Sequence, residues 1–576
     1  MESNEIKGKV ESEKMSGERA KASESSRVRR AESSDRQGPS SFNLSQEALI
    51  AATASPHEIK VLIVVDGRIK FGHSDYGLSL FLDALENFSP TIDFQITKAT
   101  RNAKDKDADY EEFSFEMFEK KPKLDNFHEV WLFGSESNLE KRLTQKELKI
   151  LAKFMDGGGG VFATGDHEAL GAAMCGEVPR VRFMRKWFFT PPIPAGQPPA
   201  IPEKTELRHD TTNRGDDYEF EYTDLQDDYP QMIFPKLDTT GKTCCAKPVP
   251  HYVLSNWTDP LRFTEPIRFL PDHSHEGECY VPEKLDHRFK FGDYEGEDFR
   301  KGSGGERLKP EVIARALVPH PHTTQWNPTR NLPTTQVASF GVIGAYDGHQ
   351  VDRGRVVVDS SFHHFVDFNL NGFANSPDNV SEDKGQRPYK QIKTYFGNIG
   401  VWLARPEVQS AIYLRALAAS LSAYPLIEEI LTSSTEINTD RLGLGAAHGL
   451  GAAATATIGR MISLPLAREQ SVNLLLSLLK GNNRNSFKTI LASGRIDAAG
   501  LILGLDCNVI IDVFMGYVVA ILSKKFGDDT DALFKAKDEE LKAIIATGFS
   551  QAKKAFSGFF SEYTSEISKL AKAIGK

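Results

Sequence analysis

The sequence predicts an α/β protein built on a doubly wound parallel sheet with a long irregular insert, followed by an all-α C-terminal domain. Three observations predict it. Short, continuously apolar runs end in polar turns, amphipathic helical segments fall between them, and after Pro406 the strand pattern gives way to long Leu/Ala/Ile stretches. Strands alternating with helices need crossover connections, which make the sheet parallel and cover both its faces.

Residues 1–55 are rich in Ser, Glu, Lys and Arg with few large apolar side chains, and are expected to be a disordered tail, because such a segment buries too little to offset its chain entropy. The α/β domain is expected over 56–405. Lys60 to Val65 is a β-branched run ending at Asp66-Gly67, the pattern of a buried parallel strand. Tyr76 to Phe88 has helical spacing, with Leu78, Phe81, Leu82 and Leu85 on one face. Phe94 to Thr97 and Glu129 to Phe133 read as the next strands. Thr144 then opens a helix with Glu147 three residues on, a capping-box spacing. Its apolar face is Leu148, Leu151, Ala152 and Met155, and Gly157 to Gly160 end it. Val161 to Thr164 is the fourth strand.

From about 176 to 335 the periodicity is lost and Pro, Asp and His are frequent, so this span reads as an irregular insert with a β-hairpin or two. Val337 to Ile343 and Arg355 to Val358 restore strand character. Residues 406–576 form the expected helical domain. Residues 498–522 are apolar enough to span a bilayer, but Asp506 and Asp512 would each cost about 2.5 to 3.5 kcal/mol at its centre. A buried bundle helix is the preferred reading. The final 45 residues are amphipathic, with Phe556, Phe559, Phe560 and Tyr563 among lysines, which fits a docked helix or, as the lesser alternative, a membrane or partner contact.

Composition narrows the function classes. At 576 residues with 40% hydrophobic and 26% charged side chains, the chain is ordinary globular protein of more than one domain. A formal charge of -9 argues against a general nucleic-acid binder. The five cysteines, Cys175, Cys244, Cys245, Cys279 and Cys507, have neither knuckle nor disulfide-framework spacing, and the polar N-terminus has no apolar signal region. The expected setting is the reducing cytoplasm.

In doubly wound sheets ligands bind beyond the carboxyl ends of the strands. The residues there are Asp66, His73, Ser135, Glu136, Asp166, His167, Asp359, His363 and His364. Asp166, His167, His73 and His363 are the candidate catalytic residues. Asp66, Ser135, Glu136, Asp359 and His364 are the candidate substrate-binding residues. A second constellation, Asp272, His273, His275 and Glu276, lies in the insert. In an extended segment His-x-His puts both imidazoles on one side, which suits a divalent ion such as Zn, Mn or Fe. The competing reading is a polar surface loop.

The succession of strand, Gly72-His73, helix, strand to Gly134-Ser135-Glu136, helix, Gly157 to His167, and closing Gly354 to Val358 leading to His363 resembles the ThuA-like branch of the class I glutamine amidotransferase-like superfamily. It covers 59 to 175 and 337 to 372. The resemblance implies a flavodoxin-like, amidotransferase-like sheet. In amidotransferases of this fold the turn after the corresponding strand carries a nucleophilic Cys. Here that turn is Thr164-Gly165-Asp166-His167, so Cys-dependent glutaminase activity is not expected, and His167 matches the His often found there in ThuA-like proteins.

The resulting expectation is a metal-dependent hydrolase-like enzyme on a small sugar- or nucleotide-like substrate. An ion would lower the pKa of a bound water, with Asp166 or Glu276 as general base. The alternative is a non-catalytic ligand-sensing or scaffold protein whose helical domain mediates oligomerisation or a membrane or partner contact.

Overall fold

The computed structural model describes residues 57–89, 91–119, 123–166, 169–187, 231–238, 249–257, 265–271, 277–302, 305–318, 338–370, 386–422, 442–478, 507–526, 532, 536 and 538–574. The predicted tail, His167, the 272–276 constellation and Asp506 lie outside them.

Among the described residues one eight-stranded sheet organises the α/β part. Its strands are β1 (His57–Val65), β2 (Ile92–Thr100), β3 (Glu129–Phe133), β4 (Gly160–Thr164), β5 (Phe234–Pro235), β6 (Glu311–Val318), β7 (Ala338–Tyr346) and β8 (Val356–Asp359). The spatial order is β2-β1-β3-β4-β8-β7-β6-β5. The pairs β2–β1, β1–β3, β3–β4 and β4–β8 are parallel, whereas β8–β7, β7–β6 and β6–β5 are antiparallel. The sheet is therefore mostly parallel, with an antiparallel extension at one edge.

Its helices are α1 (Ser79–Glu86), α2 (Gln145–Asp156), the short α3 (Ala172–Cys175), α4 (Gln386–Leu403), α5 (Pro406–Ser422), α6 (Leu444–Ile462), α7 (Leu464–Leu478), α8 (Cys507–Phe526) and α9 (Asp538–Ile574). Strand residues alternate between two cores because successive side chains point to opposite faces. Val61, Ile63, Val65, Trp131 and Phe133 share one core with Phe81 of α1 and Ile392, Phe396 and Ile399 of α4. Leu62, Val64, Val130 and Leu132 share the other with Leu148, Leu151 and Met155 of α2. Helices thus cover both faces.

Local signals explain most boundaries. Thr144 caps α2 through a complete capping box with Glu147. The first helix starts at Ser79 rather than at Tyr76, because residues 74–77 form a turn closed by Gly77 N–H donating to the Ser74 carbonyl (2.8 Å).

Two strands of the main sheet, β5 and β6, come from the span read as irregular with a β-hairpin or two. β6 lies inside the span read as irregular, and its pairing with β7 shifts register between Val312 and Arg315. The irregularity leaves Ile313 and Ala314 both buried, which breaks the period-two signature of a strand. A hairpin of Arg288–Phe291 with Tyr294–Glu297 also occupies the insert, as anticipated.

After Pro406 the described residues are helical. Ile412, Leu414 and Leu417 of α5 and Ile458 of α6 belong to the same core as the sheet. The most intimate helix crossing is α6 on α8: a Cβ on Gly451 would meet the Asp512 carbonyl at 1.7 Å, and one on Gly516 the Ala447 carbonyl at 1.9 Å. Asp512 is buried in this crossing, accepting from Arg468 Nη1 at 2.7 Å and Thr455 Oγ1 at 3.2 Å. A charge compensated by a neighbouring helix is the arrangement of a bundle interior, and no described helix is long and apolar enough to cross a membrane.

Candidate functional site

The carboxyl ends of β1, β3, β4 and β8 lie along one edge of the sheet, which brings Asp66, Ser135, Asp166 and Asp359 into a row. Glycines permit the close loop packing there. A Cβ on Gly171, which has φ +87°, would sit 2.7 Å from the Gly134 carbonyl and 2.8 Å from Gly165 Cα.

At the end of β1, Asp66 is buried. Its Oδ1 accepts from the amides of Ser135 (2.7 Å) and Glu136 (2.9 Å), while Ser135 Oγ donates to the Asp66 carbonyl (2.8 Å). Burial pushes the Asp66 carboxyl up to about 6, against the opposing pull of those two amides. Ser135 Oγ also accepts from Arg68 N–H (2.8 Å), so it locks the turn. Glu136 points elsewhere, pairing with Lys141 Nζ at 2.6 Å and accepting from Asn138 N–H at 2.9 Å. Burial opposes its ionisation, but these partners hold its carboxyl below the usual range.

The end of β8 carries two acid–imidazole pairs. Asp359 Oδ1 lies 2.6 Å from His364 Nδ1, and Oδ2 accepts from the Tyr395 hydroxyl of α4. Burial and the adjacent Asp359 keep that phenol protonated. From the adjacent position, His363 Nε2 lies 3.4 Å from Asp166 Oδ2, and Nδ1 lies 3.0 Å from Asn369 Oδ1. Ser361 Oγ donates to Asp166 Oδ1 (3.0 Å) and accepts from His363 N–H (3.0 Å). The amide oxygen assigned to Asn369 requires the proton on Nδ1, so Nε2 is the atom that takes up or releases one beside Asp166.

His73 is separate from this pair. Its side chain is 71% exposed, and Nδ1 lies 3.3 Å from Asp367 Oδ2 and 3.3 Å from Ser79 Oγ. Asp367 itself is buried, accepting from Ser79 Oγ (2.6 Å) and from the Leu80 amide (2.8 Å), and so occupies the N-terminus of α1. Tyr76 connects the two loops, its ring centroid 6.1 Å from that of His363.

Several residues of the site carried no assigned role in the sequence. Arg185 is fully buried. Its Nη2 donates to the carbonyls of Asp166 (2.6 Å) and Ser360 (2.7 Å), tying the β4 turn to the β8 turn, and its guanidinium stacks on Trp187 at 4.3 Å. Gly277, the first described residue after the 272–276 segment, packs against the same guanidinium. Ser361 sits in a polar run visible in the sequence, whereas Asn369, Tyr395 and Arg185 have no local signal. Cys175, the described cysteine nearest the β4 turn, is fully buried, and burial raises its thiol pKa well above the usual value.

Among the described residues no group of three His, Cys, Asp or Glu side chains could hold a metal ion. His167, Asp272, His273, His275 and Glu276 lie outside those residues. No family model matches the chain, and no curated protein is similar to it.

Proposed function

We propose that this protein is a hydrolase-like enzyme acting on a small polar substrate, of sugar or nucleotide type, at the carboxyl edge of the parallel strands, without Cys-dependent glutaminase chemistry. The observation that carries the reading is the His363 imidazole held between Asn369 and Asp166, the arrangement a general acid–base needs. Asn369 fixes the tautomer, Asp166 stabilises the imidazolium once Nε2 has taken a proton from water or substrate, and Ser361 and Arg185 hold Asp166 in place. His73 stands at the exposed margin, where a polar substrate would meet it first. The buried, protonated Cys175 supports a mechanism without a thiolate.

The order β2-β1-β3-β4-β8 of the parallel strands supports a flavodoxin-like, amidotransferase-like classification and membership of the ThuA-like branch. A divalent ion held by Asp272, His273, His275 and Glu276 remains part of the proposal as an activator of water, with no step above routed through it. The free, buried Cys175 and Cys279 fit a reducing cytoplasm.

A second reading has its own observation. Asp166, Asp359 and His364 are fully buried and bonded to protein partners, as they would be in a non-catalytic ligand-sensing or scaffold protein. A panel of nitrophenyl glycosides, phosphodiesters and esters, assayed with and without added Zn, Mn or Fe, separates the two. Enzyme function predicts turnover that falls by roughly 100-fold or more in His363→Gln and Asp166→Asn at unchanged melting temperature. Turnover retained in both variants, or none in the wild type under any condition, rejects it. Ligand-dependent stabilisation without turnover favours sensing.

A further inference from the structure

A second cleft lies at the opposite edge of the sheet, where β8 begins rather than ends. The four residues of β8, roughly 13 Å of extended chain, separate it from the acid–imidazole pairs. It encloses about 420 Å³, within the range of small-molecule sites. Its walls come from the start of β6 (Glu311), the ends of β7 and α4 (Asp347, Trp402) and α7 (Pro465, Glu469, Val472).

The charges of this cleft are matched within the protein. Arg355 is buried, and its Nε donates to Asp347 Oδ1 at 2.7 Å and its Nη2 to Glu469 Oε1. Its Nη1 faces the Trp402 carbonyl and Gln409 Oε1, both at 3.2 Å, so its donors are committed. Asp347 Oδ2 accepts in turn from Gln350 Nε2 at 2.7 Å. Burial raises the Glu469 pKa against the pull of Arg355, so its ionised form depends on that pairing. At the rim, Glu311 pairs with Lys236 at 2.7 Å, and the exposed Lys309 brings the balance to three cations against three carboxylates. Lys309 stands in water, where one more ion pair is worth little. A charged ligand would therefore displace an existing pair or carry an unmatched charge into a partly dehydrated space, and both are costly.

One neutral donor in the wall is left for a ligand. His251 caps the turn Tyr252–Leu254 with Nδ1 accepting from the Val253 amide at 3.3 Å, which places the ring proton on Nε2. No described residue accepts from that Nε2–H, and the partly exposed ring lines the cleft, braced at 4.7 Å against Trp402. Burial, aided by Arg355, lowers the His251 pKa to about 4, so at neutral pH the ring is an uncharged donor. We infer that this cleft binds a small uncharged organic carbonyl compound, its oxygen accepting from His251 Nε2–H and its apolar body lying along Tyr252, Pro465 and Val472. The occupant bridges the sheet and α7, two elements that Arg355 already joins. The site is independent of the hydrolase reading, since it uses none of the same side chains.

The test uses three probes of similar shape, titrated calorimetrically into the full chain: 2-phenylacetamide, phenylacetate and phenethylamine. The amide binds saturably, roughly ten-fold or more tighter than the acid and the amine. His251→Asn, whose side-chain oxygen can still cap the Val253 amide but which lacks the Nε2–H, weakens the amide about ten-fold. Asn473→Trp, which fills the cleft from an exposed position of α7 without touching the ion pairs, abolishes binding. Binding of either charged probe as tight as that of the amide, no saturable binding of the amide, or full amide affinity in either variant overturns the inference. Because Asn473→Trp spares His251 and the Arg355 cluster, it stays informative if His251→Asn fails to fold.

Discussion

Replacing Asp66 by Asn is expected to stabilise this protein at neutral pH, although it removes a buried residue with two backbone hydrogen bonds. Burial raises the carboxyl from 3.8 to about 6, so the folded state holds the proton more tightly than the unfolded chain. For an acid shifted upward, the associated stability is fully present below about pH 4 and is lost as pH rises through about 6. A shift of about 2 units corresponds to about 3 kcal/mol of cost for the ionised form at pH 7.5. An Asn side-chain oxygen can still accept from the Ser135 and Glu136 amides, while the charge is gone. The second Asp66 oxygen accepts from no described residue, so an amide nitrogen there displaces no donor. Thermal melts of wild type and Asp66→Asn at pH 4.5 and pH 7.5 measure the effect. The variant should gain on the order of 4 °C relative to wild type on going from the lower to the higher pH. A difference between the proteins that does not change with pH would refute the argument, because desolvation of the charge would then not dominate at Asp66.

Further outcomes follow from other named contacts. Gly171→Ala should cost on the order of 2 kcal/mol or more in denaturant melts, since it combines a φ of +87° with a Cβ 2.7 Å from the Gly134 carbonyl. Thr144→Ala removes the cap of α2 and should cost about 1 kcal/mol, read from the same melts, with the site unaffected. Asp512→Ala strands Arg468 inside the α6–α8 crossing and should cost about 3 to 5 kcal/mol, measured as loss of helical circular dichroism at lower temperature. Acid titration should weaken the Arg355 cluster from the Asp347 side. Burial opposes ionisation of Asp347, but Arg355 prevails and brings its carboxyl to about 2, so its contribution is present above pH 4 and lost as pH falls toward 2. Arg355→Met should flatten that part of the acid-unfolding curve.

The strands β1, β3, β4 and β8 were legible because their buried stretches form largely apolar runs, β2 at the sheet edge because Phe94 and Ile96 alternate with Gln95 and Thr97, and α2 because its cap and stripe agree. β6 was not, since its register irregularity hides the alternation that identifies a strand. The site divides in the same way. Asp66, Asp166, Asp359, His363 and His364 were found by position, as polar residues immediately beyond strands. Arg185 reaches a carbonyl 175 residues away and Tyr395 a carboxylate 36 residues away, and neither bond leaves a trace in its neighbours. The sequence also could not separate His73, beside Asp367, from His363, beside Asp166, because only tertiary packing assigns a histidine to one carboxylate.

The insertion of β8 between β4 and β7 has a consequence for synthesis on the ribosome. β4 is complete at Thr164, but its lateral partner begins at Val356, about 190 residues later. At roughly 5 to 20 residues per second, the nascent chain carries a bare, largely apolar strand edge for about 10 to 40 s. Such an edge is a template for pairing with other chains. The protein should therefore be vulnerable to aggregation while it is being made, more than after release, and its yield should depend on chaperones that shield growing polypeptides.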